Sequence, residues 1–211
     1  MVIKAAADVF WIAAGFFSGG VMYCSFLPRL LCGVDTAAAS DDKNPGAANV
    51  FSGCGVAVGM LCLFADIFKG FLPVFLAGKA MDETALVFGL VVAMPVLGHA
   101  VGVFNRFRGG KCISTSFGVL LGVLPFTRIV FLLAGLYIVF AAVIRIKPNR
   151  VCSIVTYSLF GLLSAVRFIY LGRLSFALAC AIISATAILR HLPRRAESVA
   201  EVESEKVKAK N

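Results

Sequence analysis

The chain has 211 residues, 60% of them hydrophobic and only 15% charged, with a mean hydropathy of +0.95; one soluble core of this length cannot bury that much apolar surface. A formal net charge of +9 would suit a nucleic-acid binder, but the cations fall mostly in short breaks between apolar runs and in the last 22 residues, which is the pattern of an oriented membrane protein with no nucleic-acid partner. The seven cysteines form no C-x-x-C pair and lie mostly inside apolar runs, so they read neither as a disulfide framework nor as a metal site.

A helix needs about 20 apolar residues to cross a bilayer. The runs 9–27, 53–76, 85–104 and 151–171 meet that length. The first has no basic stretch before it and no A-x-A cleavage site, and Tyr23 in "VMYC" is too bulky for a lipoprotein signal, so it reads as a retained helix. The run 174–189 is shorter and ends at a basic cluster; it crosses with some thinning or snorkelling. Residues 112–144 would make one helix of about 50 Å, too long for a single crossing, and Pro125 and Arg128 divide it into two short spans. The expected fold is therefore an all-α integral membrane protein of seven transmembrane helices, forming one domain over residues 1–195. Residues 196–211, rich in charge and poor in large apolar groups, are expected to be a solvated, disordered tail.

On alternate sides of this seven-span arrangement the cations are unequal. One side holds Arg29, Lys43, Arg106, Arg108, Lys111, Arg145, Lys147, Arg150, Arg190, Arg194 and Arg195, the other Lys4, Lys79, Arg128 and Arg173. By the positive-inside rule the first set is cytoplasmic and the N-terminus lies outside.

Three stretches bring together residues with chemistry. In "NRFRGGKCISTS", 105–116, Gly109 and Gly110 let backbone N–H groups turn toward an anion. Arg108 and Lys111 add charge, and a helix starting at about Cys112 points its positive end at the same spot. An ordinary basic inside loop has the same composition, so Gly-Gly-Lys alone is a weak signal. In "DDKNPGAANVF", 41–51, Asn44 and Asn49 place amides on either side of a Pro45-Gly46 turn, an arrangement that also serves simply to cap a helix. Asp66 and Lys69 in "FADIFKGFLPV" lie three apart on one helix face and can pair within the membrane, as a site or as an internal strut. Their distance from the cytoplasmic loops favours the strut.

Taken together, "NPGAANVF", "DIFKGFLPV", "GHAVGVFNRFRGGKCISTSFGVLLG" and "RVCSI" resemble, in order and spacing, the bacterial acyl-phosphate:glycerol-3-phosphate acyltransferases, the PlsY-type membrane enzymes. The resemblance runs from "FFSGGVMY" to His191 and is most specific over 98–122. It implies a multi-pass protein of the bacterial cytoplasmic (inner) membrane, without a cofactor, whose substrates are acyl phosphate and glycerol 3-phosphate and whose surroundings are membrane lipids. The implied reaction moves a fatty acyl group to the 1-hydroxyl of glycerol 3-phosphate, giving lysophosphatidic acid for phospholipid synthesis. An acyl phosphate is an activated mixed anhydride, so the protein must hold two anions close and stabilise an oxyanion rather than supply a covalent nucleophile. On this reading Lys111, Asn44, His191 and Ser153 are the catalytic candidates. Arg108, Gly109, Gly110, Thr115, Lys43, Asp42, Asn49 and Arg194 contact substrate, and Asp66, Lys69 and His99 support the site.

The departures from the family pattern gather on the acceptor side. Asp41-Asp42-Lys43-Asn44 stands where the family reads G-S-G-N, so the serine has become Asp42. The Arg closing that motif is Ser52, and "HLPR" puts Arg194 where H-x-x-N has its Asn. One cation is lost, two anions and two cations are gained, and the balance shifts by about minus one. Either Lys43 and Arg194 take over the acceptor phosphate or the acceptor differs. A small transporter using Asp66 and Lys69 is the competing class, but no pair of matching broken helices appears in the two halves. The H-x-x-x-x-D dyad of other glycerolipid acyltransferases is excluded, since that offset from His99 is Phe104 and from His191 is Ala196.

Overall fold

A computed structural model describes residues 2–40 and 42–192. These residues form eight α-helices: α1 (Val2–Gly20), α2 (Tyr23–Cys32), α3 (Ala47–Ala80), α4 (Leu86–Val101), α5 (Ile113–Gly122), α6 (Val130–Tyr137), α7 (Asn149–Tyr170) and α8 (Leu174–His191). A 3-10 turn, Val103–Asn105, follows α4, and a more loosely wound segment, Ile138–Val143, continues α6.

The all-helical, membrane-embedded architecture is as expected, but among the described residues four helices, or five with one bent pair, are long and apolar enough to cross, rather than the seven expected. Helices α3, α4, α7 and α8 are long and apolar enough to cross, while α1 and α2, bent by 40° at residues 21–22, together make a fifth. Helix α5 and the α6 segment are shorter, with Pro125 and Arg128 in the break between them, where the sequence puts a division. The second span begins earlier than expected, at Ala47, and at 34 residues would measure about 51 Å if unbroken. Gly55, at φ 80°, interrupts it in a conformation that side-chain-bearing residues avoid.

Without water to drive association, helices in lipid pack through small residues that let backbones approach. A β-carbon at Gly98 on α4 would sit 1.9 Å from the Phe16 carbonyl on α1, and one at Gly118 on α5 would sit 2.1 Å from the Ile67 carbonyl on α3. Helix α4 is central: Val91, Val92, Ala93 and Val96 are buried, with Phe88 edge-on to Phe126 and Phe176. The exposed apolar side chains, such as Phe10, Phe64, Phe131, Leu162 and Val166, face outward, as a lipid-facing surface requires.

Long-range contacts sort the loops onto two faces. Lys111 reaches Asp42, and Arg190 at the end of α8 reaches Gly109 and Gly110, so the loops 33–46 and 102–112 share one face. On the opposite face Arg173 donates to the Phe126 carbonyl at 2.8 Å and Ser175 Oγ donates to the Glu83 carbonyl. These groups fall on the two sides that the cation count separates.

Candidate functional site

The loop 33–46 is organised around one carboxylate. Asp42 Oδ1 accepts from the Asn44 N–H at 3.1 Å, Asn49 Nδ2 at 2.9 Å and Ser40 Oγ at 3.2 Å, while Oδ2 lies 2.6 Å from Lys111 Nζ. Asn49 Nδ2 also donates to the Asn44 carbonyl at 2.8 Å. The two asparagines therefore brace the turn, and Asp42, Asn44, Asn49 and Lys111, separated by up to 69 residues in sequence, meet in one cluster. Partial burial works to raise the Asp42 carboxyl, but hydrogen bonds from Lys111, Asn49 and the Asn44 amide outweigh it and hold the group below the ordinary carboxylate value.

The glycines of the second loop have a different reason from the one their sequence suggests. Arg106 and Phe107 turn the chain through left-handed conformations, φ 53° and 59°, and return it beneath the end of α4. A β-carbon at Gly109 would lie 2.0 Å from the Ala100 carbonyl, and one at Gly110 would lie 2.3 Å from His99 Nε2. The Gly110 N–H donates to the His99 carbonyl at 3.1 Å, so it is not directed at an anion as the loop motif leads one to expect. Arg190 holds the other edge, donating from Nε to the Gly110 carbonyl at 3.0 Å and from Nη2 to the Gly109 carbonyl. These charge-assisted bonds make the glycine pair a fixed strap from which Lys111 projects.

Between the two loops lies a cleft of about 430 Å³ lined by Ser25, Arg29, Asp35, Lys43, Asn105, Arg108 and Gly109, among others. Arg29 pairs with Asp35 at 2.7 Å. The Ala38 amide, and then Arg29, hold the Asp35 carboxyl below its ordinary value. Among the described residues Lys43 and Arg108 have no carboxylate partner, so the cleft presents an ammonium and a guanidinium to any anion that enters. Asn105 Nδ2 braces the rim, donating to the Arg108 carbonyl at 2.8 Å and to Ser25 Oγ at 3.3 Å.

Ser25, Arg29, Asp35, Asn105 and Arg190 are site-forming residues that the sequence reading did not select. Arg29 and Arg190 were visible only as orientation charges, and no spacing rule links Ser25 to Asn105 across 80 residues. Two expected contributors do not line the cleft. Thr115 is fully buried, with its carbonyl 2.7 Å from where a Gly70 β-carbon would sit, so it belongs to the α3–α5 contact. Ser153 is buried and its Oγ accepts from Tyr137 on α6 at 3.2 Å. His191, also buried, donates from Nδ1 to the Ala187 carbonyl at 2.7 Å and lies within electrostatic reach of Lys111 and Arg190. Arg194, Asp41 and the tail 196–211 lie outside the described residues.

Asp66 and Lys69 pair as their spacing predicts, at 2.7 Å, both side chains 2% exposed. Lys69 also donates to the Val21 carbonyl and Cys24 Sγ donates to Asp66 Oδ2 at 3.1 Å, which ties α3 to the α1–α2 break. His99, buried on α4, is the packing surface for Gly110. All three expected support residues thus sit behind the loops rather than in the cleft.

A family model described as glycerol-3-phosphate acyltransferase matches residues 9–200. The chain belongs to the glycerol-3-phosphate acyltransferase family. A relative named glycerol-3-phosphate acyltransferase from Thermosipho melanesiensis is 32% identical over 87% of this chain and 84% of its own length. One from Thermotoga maritima, named glycerol-3-phosphate acyltransferase 2, is 32% identical over 76% and 83%. The match to the relative from Maridesulfovibrio salexigens, 35% identical, spans 60% of this chain and 65% of that protein. Among solved structures the chain is similar to PlsY (YgiH), an integral membrane glycerol 3-phosphate acyltransferase. Its glycerol 3-phosphate form superposes with a TM-score of 0.75 at 24% identity, covering 94% of this chain and 92% of that one. The lysophosphatidic acid form gives 0.74 at 25% identity over the same shares. The membership and the fold agree with the resemblance carried by the sequence motifs, and the chain is an all-α integral membrane protein of the acyltransferase family.

Proposed function

We propose that this protein transfers a fatty acyl group from acyl phosphate to the 1-hydroxyl of glycerol 3-phosphate, forming lysophosphatidic acid at the cytoplasmic face of the bacterial inner membrane. The observation that carries the reading is the convergence of Lys43, Arg108 and the Lys111–Asn44–Asn49 cluster on one loop face, beside a cleft large enough for a small phosphate ester. The relatives' names, and the ligand forms in which PlsY was solved, support the acceptor and the product of this reading.

The hydroxyl oxygen bonds to the acyl carbon, the bond from that carbon to the phosphate oxygen breaks, and the hydroxyl proton leaves with the phosphate or passes to water. Lys111 offsets the charge that develops on the acyl oxygen and the leaving group, while Asn44 and Asn49 hold the Asp42 turn against which it is placed. Lys43 and Arg108 hold the acceptor phosphate, and His191 stands at the same end of the bundle. Thr115 and Ser153, buried like His191, stand back from the cleft itself. A transporter reading loses its support, since Asp66 and Lys69 are fully engaged with each other and with the α1–α2 break.

Purified protein given palmitoyl phosphate and glycerol 3-phosphate should release phosphate and form lysophosphatidic acid. A charged hydrogen bond is worth about 1.5–3 kcal/mol, so Lys43→Met should raise the apparent KM for glycerol 3-phosphate about 10- to 150-fold with little change in that for acyl phosphate. Equal changes in both constants would remove Lys43 from the acceptor pocket. Asp42 and Ser52, which replace the family's serine and arginine, favour one variant of the reading, a different acceptor; an acceptor panel in the same assay separates the two.

The sidedness of the two loop faces supports an outside N-terminus. A reporter inserted at Met81 should read external, and one following Arg195 cytoplasmic; the same reading at both positions would end this topology.

A further inference from the structure

Lys111 is the cation that the acyl-transfer reading places on substrate phosphate, and its ammonium lies 2.6 Å from Asp42 Oδ2. That carboxylate is not a loose surface group, because its other oxygen is fixed by the Asn44 amide, Asn49 and Ser40. Three donors from the chain thus aim Oδ2 at an ammonium 69 residues away. Against partial burial, the Lys111 hydrogen bond first and then those from Asn49 and the Asn44 amide keep the carboxyl below its ordinary value, which makes it a weak proton acceptor and a persistent ion-pair partner. A general-base role is accordingly disfavoured.

We propose that Asp42 is a specificity-determining residue: a carboxylate of the chain itself that competes with substrate phosphate for Lys111. The proposal rests on the acyl-transfer reading for the identity of the substrate, though not for the competition. A phosphate that pairs with Lys111 must displace Asp42 or sit beside it, and like charges brought together oppose binding. Lys43 and Arg108, which lack such a partner among the described residues, still attract the anion to the neighbouring cleft. The site therefore grips a phosphate less tightly than its cations alone would allow. It discriminates against highly charged anions and lets Asp42 retake Lys111 as inorganic phosphate departs.

Titration of inorganic phosphate into the purified full chain in detergent tests this. Asp42→Asn keeps the size and the Oδ1 acceptor, and should tighten phosphate binding roughly tenfold, the lower end for a charged hydrogen bond because the pair is partly exposed. Asp42→Ser, which leaves the Asn49–Asn44 bond in place, should give the same gain. In a Lys111→Met background neither substitution should improve binding by more than about twofold. No gain from either single variant overturns the proposal, and so does a gain that persists without Lys111, because it would be a diffuse charge effect. If phosphate binding follows this pattern while neither wild type nor variant transfers an acyl group, the enzymatic reading fails and the competition stands.

Discussion

Lys69→Met is expected to destabilise the folded protein by about 3–5 kcal/mol, the range for leaving one member of a buried ion pair without its partner. Lys69 and Asp66 are each 2% exposed and 2.7 Å apart, so methionine would strand a carboxylate whose only remaining side-chain donor among the described residues is Cys24. The substitution would also remove the donor that Lys69 gives to the Val21 carbonyl, at the point where α1 stops and α2 begins. Thermal unfolding in detergent should show a Tm well below wild type, together with reduced yield. Asp66→Leu combined with Lys69→Met should recover part of the loss and not all of it, because removing both charges does not restore the Val21 bond. A single variant that melts within about 2 °C of wild type would show that the pair is not a strut, since a loss of this size moves the midpoint by several degrees.

Lys111→Met is expected to have the opposite profile: an intact fold and a large catalytic loss. Its ion pair with Asp42 is partly exposed, with side-chain accessibilities of 30% and 42%, and such pairs contribute about 0–1 kcal/mol to stability. If Lys111 offsets charge on the transferring acyl phosphate, removing it should lower kcat about 100- to 1000-fold, as loss of one oxyanion-stabilising donor does elsewhere. Initial rates with palmitoyl phosphate, measured beside a melting curve, separate the two effects. Activity within about threefold of wild type would take Lys111 out of the chemistry and leave the Asp42 pair as a loop fastening only.

The contrast between these two lysines shows what was legible in the residues. Lys69 lies three positions from Asp66, so one helical turn places the partners together and their pairing follows from local geometry. Lys111 meets Asp42 across 69 residues, a meeting decided by how α3, α4 and α5 pack. The same holds for Arg190, which straps Gly109 and Gly110 from a distance of 80 and more residues and which charge counting registers only as a cytoplasmic cation. The placing of Thr115 and Ser153 away from the cleft was not legible, because a mostly apolar helix does not reveal which face a hydroxyl occupies. Their direction was set by Gly70 on α3 and Tyr137 on α6.

By itself the sequence determined the membrane class, the approximate position of the long apolar runs, the break at Pro125 and Arg128, and the family. These follow from hydrophobic length, local chain stiffness and residue order, none of which needs a distant contact. The tertiary structure alone decided where the first apolar run breaks. Residues 21 and 22 are valine and methionine, preceded by Gly19 and Gly20; the glycines weaken the helix, but no proline or charge fixes a stop there. The Val21 carbonyl, freed by the 40° bend, would be costly in an apolar setting without a donor. Lys69 supplies that donor from 48 residues away, while Asp66 balances its charge. A backbone group that no local residue satisfies persists only because packing brings a partner to it, and for that reason the bend could not be read along the chain.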